Sequence, residues 1–100
     1  DGHTASIFPQ EIELWESNKL CVVATHPDSE QKRVSLSGKV INNAQHVAFL
    51  VTGDAKAEKV KEIIELRKNV KDIYPAAKVK PVSGNLIWFL DKEAGKLLDL

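Results

Sequence analysis

The chain has 100 residues and no net charge, with fourteen basic side chains balancing fourteen acidic ones. That length makes one small domain or a piece of a larger one, burying about 65% of its unfolded surface. The charge balance offers no basic face to nucleic acid and no polybasic membrane anchor, and no apolar run approaches the ~20 residues of a membrane-spanning helix.

The first residues, Asp1-Gly2-His3-Thr4-Ala5-Ser6-Ile7-Phe8-Pro9, place a carboxylate two positions before an imidazole. Residues i and i+2 of an extended or turning backbone project to one side, so Asp1 can fix the tautomer of His3 and stabilise its protonated form. A general base working near neutral pH needs such a partner. The plain alternative is a turn with a solvated histidine beside it. Glu11 to Ser17 reads as a short amphipathic helix, with Ile12 and Trp15 on one side and Pro9 in its first turn.

Leu20 to Ala24 is continuously apolar and predicts a buried strand. Cys21 lies inside it, the only cysteine of the chain. It has no internal disulfide partner and reads as a buried core thiol in a reducing compartment. His26 to Lys32 is a polar loop. Arg33 to Ser37 alternates, which predicts Val34 and Leu36 inward and Arg33, Ser35 and Ser37 outward. Ser37 is placed to cap a brief helix through Val40, Ile41 and Ala44.

His46 to Thr52 predicts another buried strand, apolar on both faces. Gly53-Asp54 turns it into the strongest helix, Ala55 to about Leu66. There Ala57, Val60, Ile63 and Ile64 form the apolar stripe, and Glu58, Lys59, Lys61, Glu62 and Glu65 face water. Tyr74-Pro75 breaks any helix in the segment that follows, and Ala77-Lys78-Val79 reads as a short edge strand. Leu86 to Leu90 predicts a third buried strand, and Asp91 a cap for a final helix, Lys92 to Leu98. Strands apolar on both faces, alternating with helices, indicate an α/β fold with a mostly parallel sheet flanked by helices. The link between the first two strands is too short for a parallel crossover, so some pairing is antiparallel or spans a sheet edge.

Two further positions carry possible chemistry. Ligands of open α/β sheets bind beyond the carboxyl ends of strands, which is where Thr52-Gly53-Asp54-Ala55-Lys56 leads. A cation such as Lys56 in a first helical turn opposes the helix dipole, and an anionic ligand would reverse that penalty. The alternative is a solvated lysine. Arg33 opens the alternating strand and offers bidentate geometry to a phosphate or carboxylate; its alternative is a strand-end arginine bonded to carbonyls or water. The other histidines, His26 and His46, have no spacing with Cys21 that would make a zinc site. No Gly-x-Ser-x-Gly elbow supports a serine hydrolase.

The opening string resembles the signature of the 6-phosphogluconolactonases. The likeness continues through Arg33-Val34-Ser35-Leu36-Ser37 with Ile41-Asn42-Asn43-Ala44. It runs on through His46 to Gly53 with Lys56-Ala57-Glu58, then Pro75-Ala76-Ala77 and Leu86 to Asp91. It implies the C-terminal part of a Rossmann-like sugar-phosphate isomerase/lactonase fold. It also implies a cytoplasmic enzyme of the oxidative pentose phosphate pathway, hydrolysing 6-phosphogluconolactone to 6-phosphogluconate without metal or organic cofactor. In that likeness His3 and Asp1 are catalytic, Lys56 lies near the substrate phosphate, and Arg33 is a further phosphate contact. Amino-sugar-phosphate deaminase/isomerases share the fold and the Asp-Gly-His turn, but theirs continues Ile-Ala-Phe-Asn-Glu; here Phe8 stands where that glutamate completes a relay.

The chain contains no methionine and begins at the signature itself. The expectation is therefore a C-terminal portion of a longer protein whose glycine-rich phosphate loop lies elsewhere. Such a portion is expected to be marginally stable or to self-associate through exposed sheet edges; the alternative to the enzymatic reading is a fragment that only binds a sugar phosphate.

Overall fold

The computed structural model describes residues 1–99. Among the described residues, four strands form two two-stranded sheets. Strands β1 (Cys21–Thr25) and β2 (Lys32–Leu36) pair antiparallel, with Val22 opposite Ser35 and Ala24 opposite Arg33. Strands β3 (Val47–Val51) and β4 (Leu86–Leu90) pair parallel, with Phe49 opposite Trp88. The crossover between β3 and β4 carries α2 (Ala57–Glu65), α3 (Arg67–Val70) and a 3-10 turn at Pro75–Lys78; the brief α1 (Gly38–Asn42) joins the two sheets. The architecture is α/β with the expected antiparallel pairing at the short link.

The core has two centres. Ile7, Trp15, Val22 and Val79 form one, and Ile63, Val70, Ala76 and Ala77 the other. Phe49 packs against both, and its ring stacks on Trp88 at 4.2 Å. A fully buried side chain such as Ile7 contributes roughly 1.5–3 kcal/mol of transfer free energy.

Several local expectations are corrected. In β2 the faces are reversed: Ser35 and Ser37 are buried, while Val34 is 77% exposed and Leu36 is also exposed. Directly paired residues share a face, so Ser35 follows Val22 onto the core. Its hydroxyl accepts the Ser6 N–H and donates to the Leu36 carbonyl, and Ser37 donates to the Lys19 carbonyl, so neither buried hydroxyl is left unpaired. Ser37 stands at the α1 N-cap, but through its backbone carbonyl only. Cys21 is exposed rather than buried, on the same open face as Val23. Strands β3 and β4 are likewise covered on one face only, leaving Leu50, Ile87 and Phe89 open.

The segment read as an N-terminal helix is a 3-10 helix, Pro9–Glu16, broken by a non-helical Glu11 whose carboxylate accepts the Thr25 N–H. Pro75–Lys78 curls as 3-10 and buries Pro75, Ala76 and Ala77, so no edge strand forms there. The segment 92–98 is a run of turns, not a helix. Asp91 still accepts the Ala94 N–H in the manner of a cap, and it has a second use described below.

Candidate active site

The turn at Asp1–Pro9 is held from several sides. Gly2 has φ +80°, and a Cβ there would lie 2.7 Å from the Tyr74 Cβ, so only glycine fits. Its carbonyl accepts the Ala76 N–H at 2.9 Å. Thr4 and Ile7 exchange two backbone hydrogen bonds around Ala5-Ser6, and fully buried Ile7 anchors the loop. Ser6 donates to Ser35 on β2.

This frame carries the predicted pair. His3 Nδ1 lies 2.8 Å from Asp1 Oδ1, and the His3 backbone N–H donates to the same oxygen. With Asp1 ionised, Nδ1 carries the proton and Nε2 presents its lone pair outward. One expectation is overturned. The sequence predicts that Asp1 favours the protonated ring, whereas His3 is held below its ordinary 6.5. Burial is the largest cause, and the charges of Arg33 and Lys56 add to it. Asp1 is half exposed, so water screens its attraction. A lowered value leaves the ring neutral and able to accept a proton at pH 7.

The facing wall comes from the β3–α2 connection. Gly53, at φ +92°, donates its N–H to the Asp91 carboxylate at 3.1–3.2 Å. That bond ties the turn after β3 to the end of β4. The 3-10 turn Asp54–Lys56 follows, so Lys56 stands just before α2 rather than within it. A cleft of about 250 Å³ is lined by Asp1, Gly2 and His3 together with Lys56, Lys59 and Trp88. No carboxylate lies within salt-bridge distance of Lys56 among the described residues.

The structure thus brings Asp1, His3 and Lys56 to one cleft. Arg33 does not line it; its Nε donates to Gln31 Oε1, although its charge reaches His3. Lys59 lines the cleft although the sequence reading turned it to water. Its ammonium lies 4.9 Å from the Tyr74 ring centroid and 4.0 Å from Glu62, and Tyr74 is the main cause of its raised pKa. The signal was present: Lys59 and Ile63 are four apart in α2 and so share one helical face. The His26 ring does not line the cleft; it meets Phe8 edge-on. His46 is exposed at the start of β3. Among the described residues no group of three or more His, Cys, Asp or Glu side chains could hold a metal ion, and no helix is long and apolar enough to cross a membrane.

The family model "Glucosamine-6-phosphate isomerases/6-phosphogluconolactonase" matches residues 1–88. A 6-phosphogluconolactonase of Aggregatibacter actinomycetemcomitans is 46% identical over 98% of this chain and 41% of its own length. The 6-phosphogluconolactonase of Homo sapiens is 40% identical over 98% of this chain and 38% of its own. Among solved structures, the devB protein superposes with a TM-score of 0.88 at 41% identity, covering 99% of this chain and 41% of that one. The 6-phosphogluconolactonase from Trypanosoma brucei superposes with a TM-score of 0.82 at 31% identity, over 99% of this chain and 39% of that one. The chain spans about two fifths of the length of these relatives, and it belongs to the glucosamine-6-phosphate isomerase/6-phosphogluconolactonase family.

Proposed function

We propose that this chain supplies the general base and part of the phosphate anchor of a 6-phosphogluconolactonase, within a lactonase domain of the relatives' length. His3 Nε2 takes a proton from water as the oxygen attacks the ester carbonyl of the lactone. The tetrahedral intermediate collapses, the ring C–O bond breaks, and the imidazolium returns its proton to the departing ring oxygen. Water and lactone are thereby consumed and one hydroxy acid is formed. Asp1 holds Nδ1 and balances the transient charge on the ring.

Lys56, with Lys59 beside it and Arg33 adding positive potential, receives the phosphate at the far end of the sugar. Binding energy released there positions the ester over His3. The observation that most supports this reading is the 2.8 Å Asp1–His3 contact in a cleft that also presents Lys56. A deaminase reading lacks its relay, because Phe8 rather than a carboxylate lies against His3. The lone cysteine goes with a cytoplasmic setting.

In the full-length protein, His3→Ala is expected to cut turnover of 6-phosphogluconolactone by about two to four orders of magnitude. Near-wild-type turnover, or ammonia release from glucosamine 6-phosphate by the unmodified protein, would contradict the proposal. The hundred residues alone expose Val23, Val34, Leu50 and Phe89, and for them self-association through these sheets is expected. A concentration-independent monomer in sedimentation would contradict that.

A further inference from the structure

The Asp1 contact fixes one edge of the His3 ring and leaves the ring free to rock about that bond. Both side chains are about half exposed, so a single hydrogen bond there is a weak restraint in water. The second restraint is on the face of the ring. Phe8 stacks on His3 with centroids 4.3 Å apart and planes within 11° of parallel. Phe8 is 5% exposed and follows the fully buried Ile7, so it offers a rigid surface. An edge bond and a stacked face together define the plane of a ring.

Phe8 is itself buttressed. The His26 ring packs edge-on to it at 4.9 Å, from the hairpin turn between β1 and β2. His26 is held in turn, because its Nδ1 accepts the backbone N–H groups of Asp28 and Ser29, each at 3.1 Å. That pattern leaves the neutral ring's proton on Nε2. The hairpin closes beneath it through Glu30 N–H to the His26 carbonyl and His26 N–H to the Gln31 carbonyl.

We propose that Phe8 and His26 are positioning residues for the His3 imidazole, with His26 steadying Phe8 and Phe8 setting the plane in which Nε2 faces the cleft. The inference deepens the lactonase reading and rests on it for its kinetic consequence. Its structural half stands without that reading. The charged groups facing His3 are the Asp1 carboxylate, Arg33 of β2 and Lys56 before α2, with His26 beyond Phe8.

The test uses the full-length protein and two readouts, lactonase kinetics and proton NMR titration of His3. Phe8→Leu removes the stacking face; it is expected to lower kcat about 10- to 100-fold, the scale of a misaligned catalytic group, with KM within about threefold. Opening the ring to water also moves the His3 midpoint up toward 6.5. Phe8→Tyr keeps the face and is expected to bring kcat back to within about threefold of wild type. His26→Asn keeps an acceptor for the Asp28 and Ser29 N–H groups but removes the buttress, and is expected to lower kcat by roughly three- to tenfold. It also serves if Phe8→Leu fails to fold.

Wild-type kcat and an unmoved His3 midpoint in Phe8→Leu or His26→Asn would overturn the proposal. So would an activity loss with no change in the His3 titration, since that is what a merely structural role produces. Should the unmodified protein lack lactonase turnover, the functional reading fails alone and the His3 titration still decides this one.

Discussion

The two turns that meet at the cleft are built by opposite means. Asp1–Pro9 is enclosed: Tyr74 crowds Gly2, the Ala76 N–H holds its carbonyl, Ser35 holds Ser6, and Phe8 backs His3. Thr52–Lys56 is open: nothing lies within 4 Å of a Cβ built on Gly53, and the Asp91 carboxylate is its main tether. A general base must be oriented to a fraction of an ångström, whereas a cation that anchors a remote phosphate needs only charge and reach. On the proposed reading, the contrast separates a turn that sets geometry from one that sets potential.

Exchanging each glycine for alanine breaks that contrast most directly. Gly2→Ala forces both a strained φ and a clash with Tyr74, and is expected to destabilise by about 3 kcal/mol or more. Gly53→Ala carries the backbone strain alone, about 1–2 kcal/mol. Urea denaturation of the two variants measures the difference; equal losses would mean that the first turn is no tighter than the second. Lys56→Met is a smaller change that sharpens it. Loss of one phosphate contact is expected to raise KM about tenfold, some 1.4 kcal/mol, while kcat falls less. A pure kcat defect would place Lys56 at the reacting atoms instead.

The strand positions were legible in the sequence because apolar runs bounded by polar turns have few readings. Which face they bury was not. Alternation alone assigns Val34 and Leu36 to the core, and only the Ser6 and Lys19 bonds reveal why Ser35 and Ser37 go there. The Asp1–His3 contact was legible because it is local, at i and i+2. Its electrostatic sense was not, since burial and the charges of Arg33 and Lys56 come from distant segments. The Phe8–His26 contact was hidden for the same reason: it crosses from the first turn to a hairpin 18 positions later. Lys59 was the avoidable omission, as its spacing from Ile63 already put both on one face of the helix.

The lowered pKa of His3 also has a definite sign. The unfolded imidazole titrates near 6.5 and the folded one below it, so the unfolded state binds more protons in between. Any stability linked to His3 is fully present above 6.5 and is lost as pH falls through the folded value. The half-exposed ring makes this a small effect on folding. On the proposed catalysis it is direct, because only the neutral ring accepts a proton. The most direct measurement is kcat/KM for 6-phosphogluconolactone against pH, with spontaneous hydrolysis subtracted, for the full-length protein and its His3→Ala variant. The expected result is an acid limb with its midpoint below 6.5 in the wild type and no such limb in the variant. The same limb in both, or a wild-type midpoint well above 6.5, would contradict His3 as the general base.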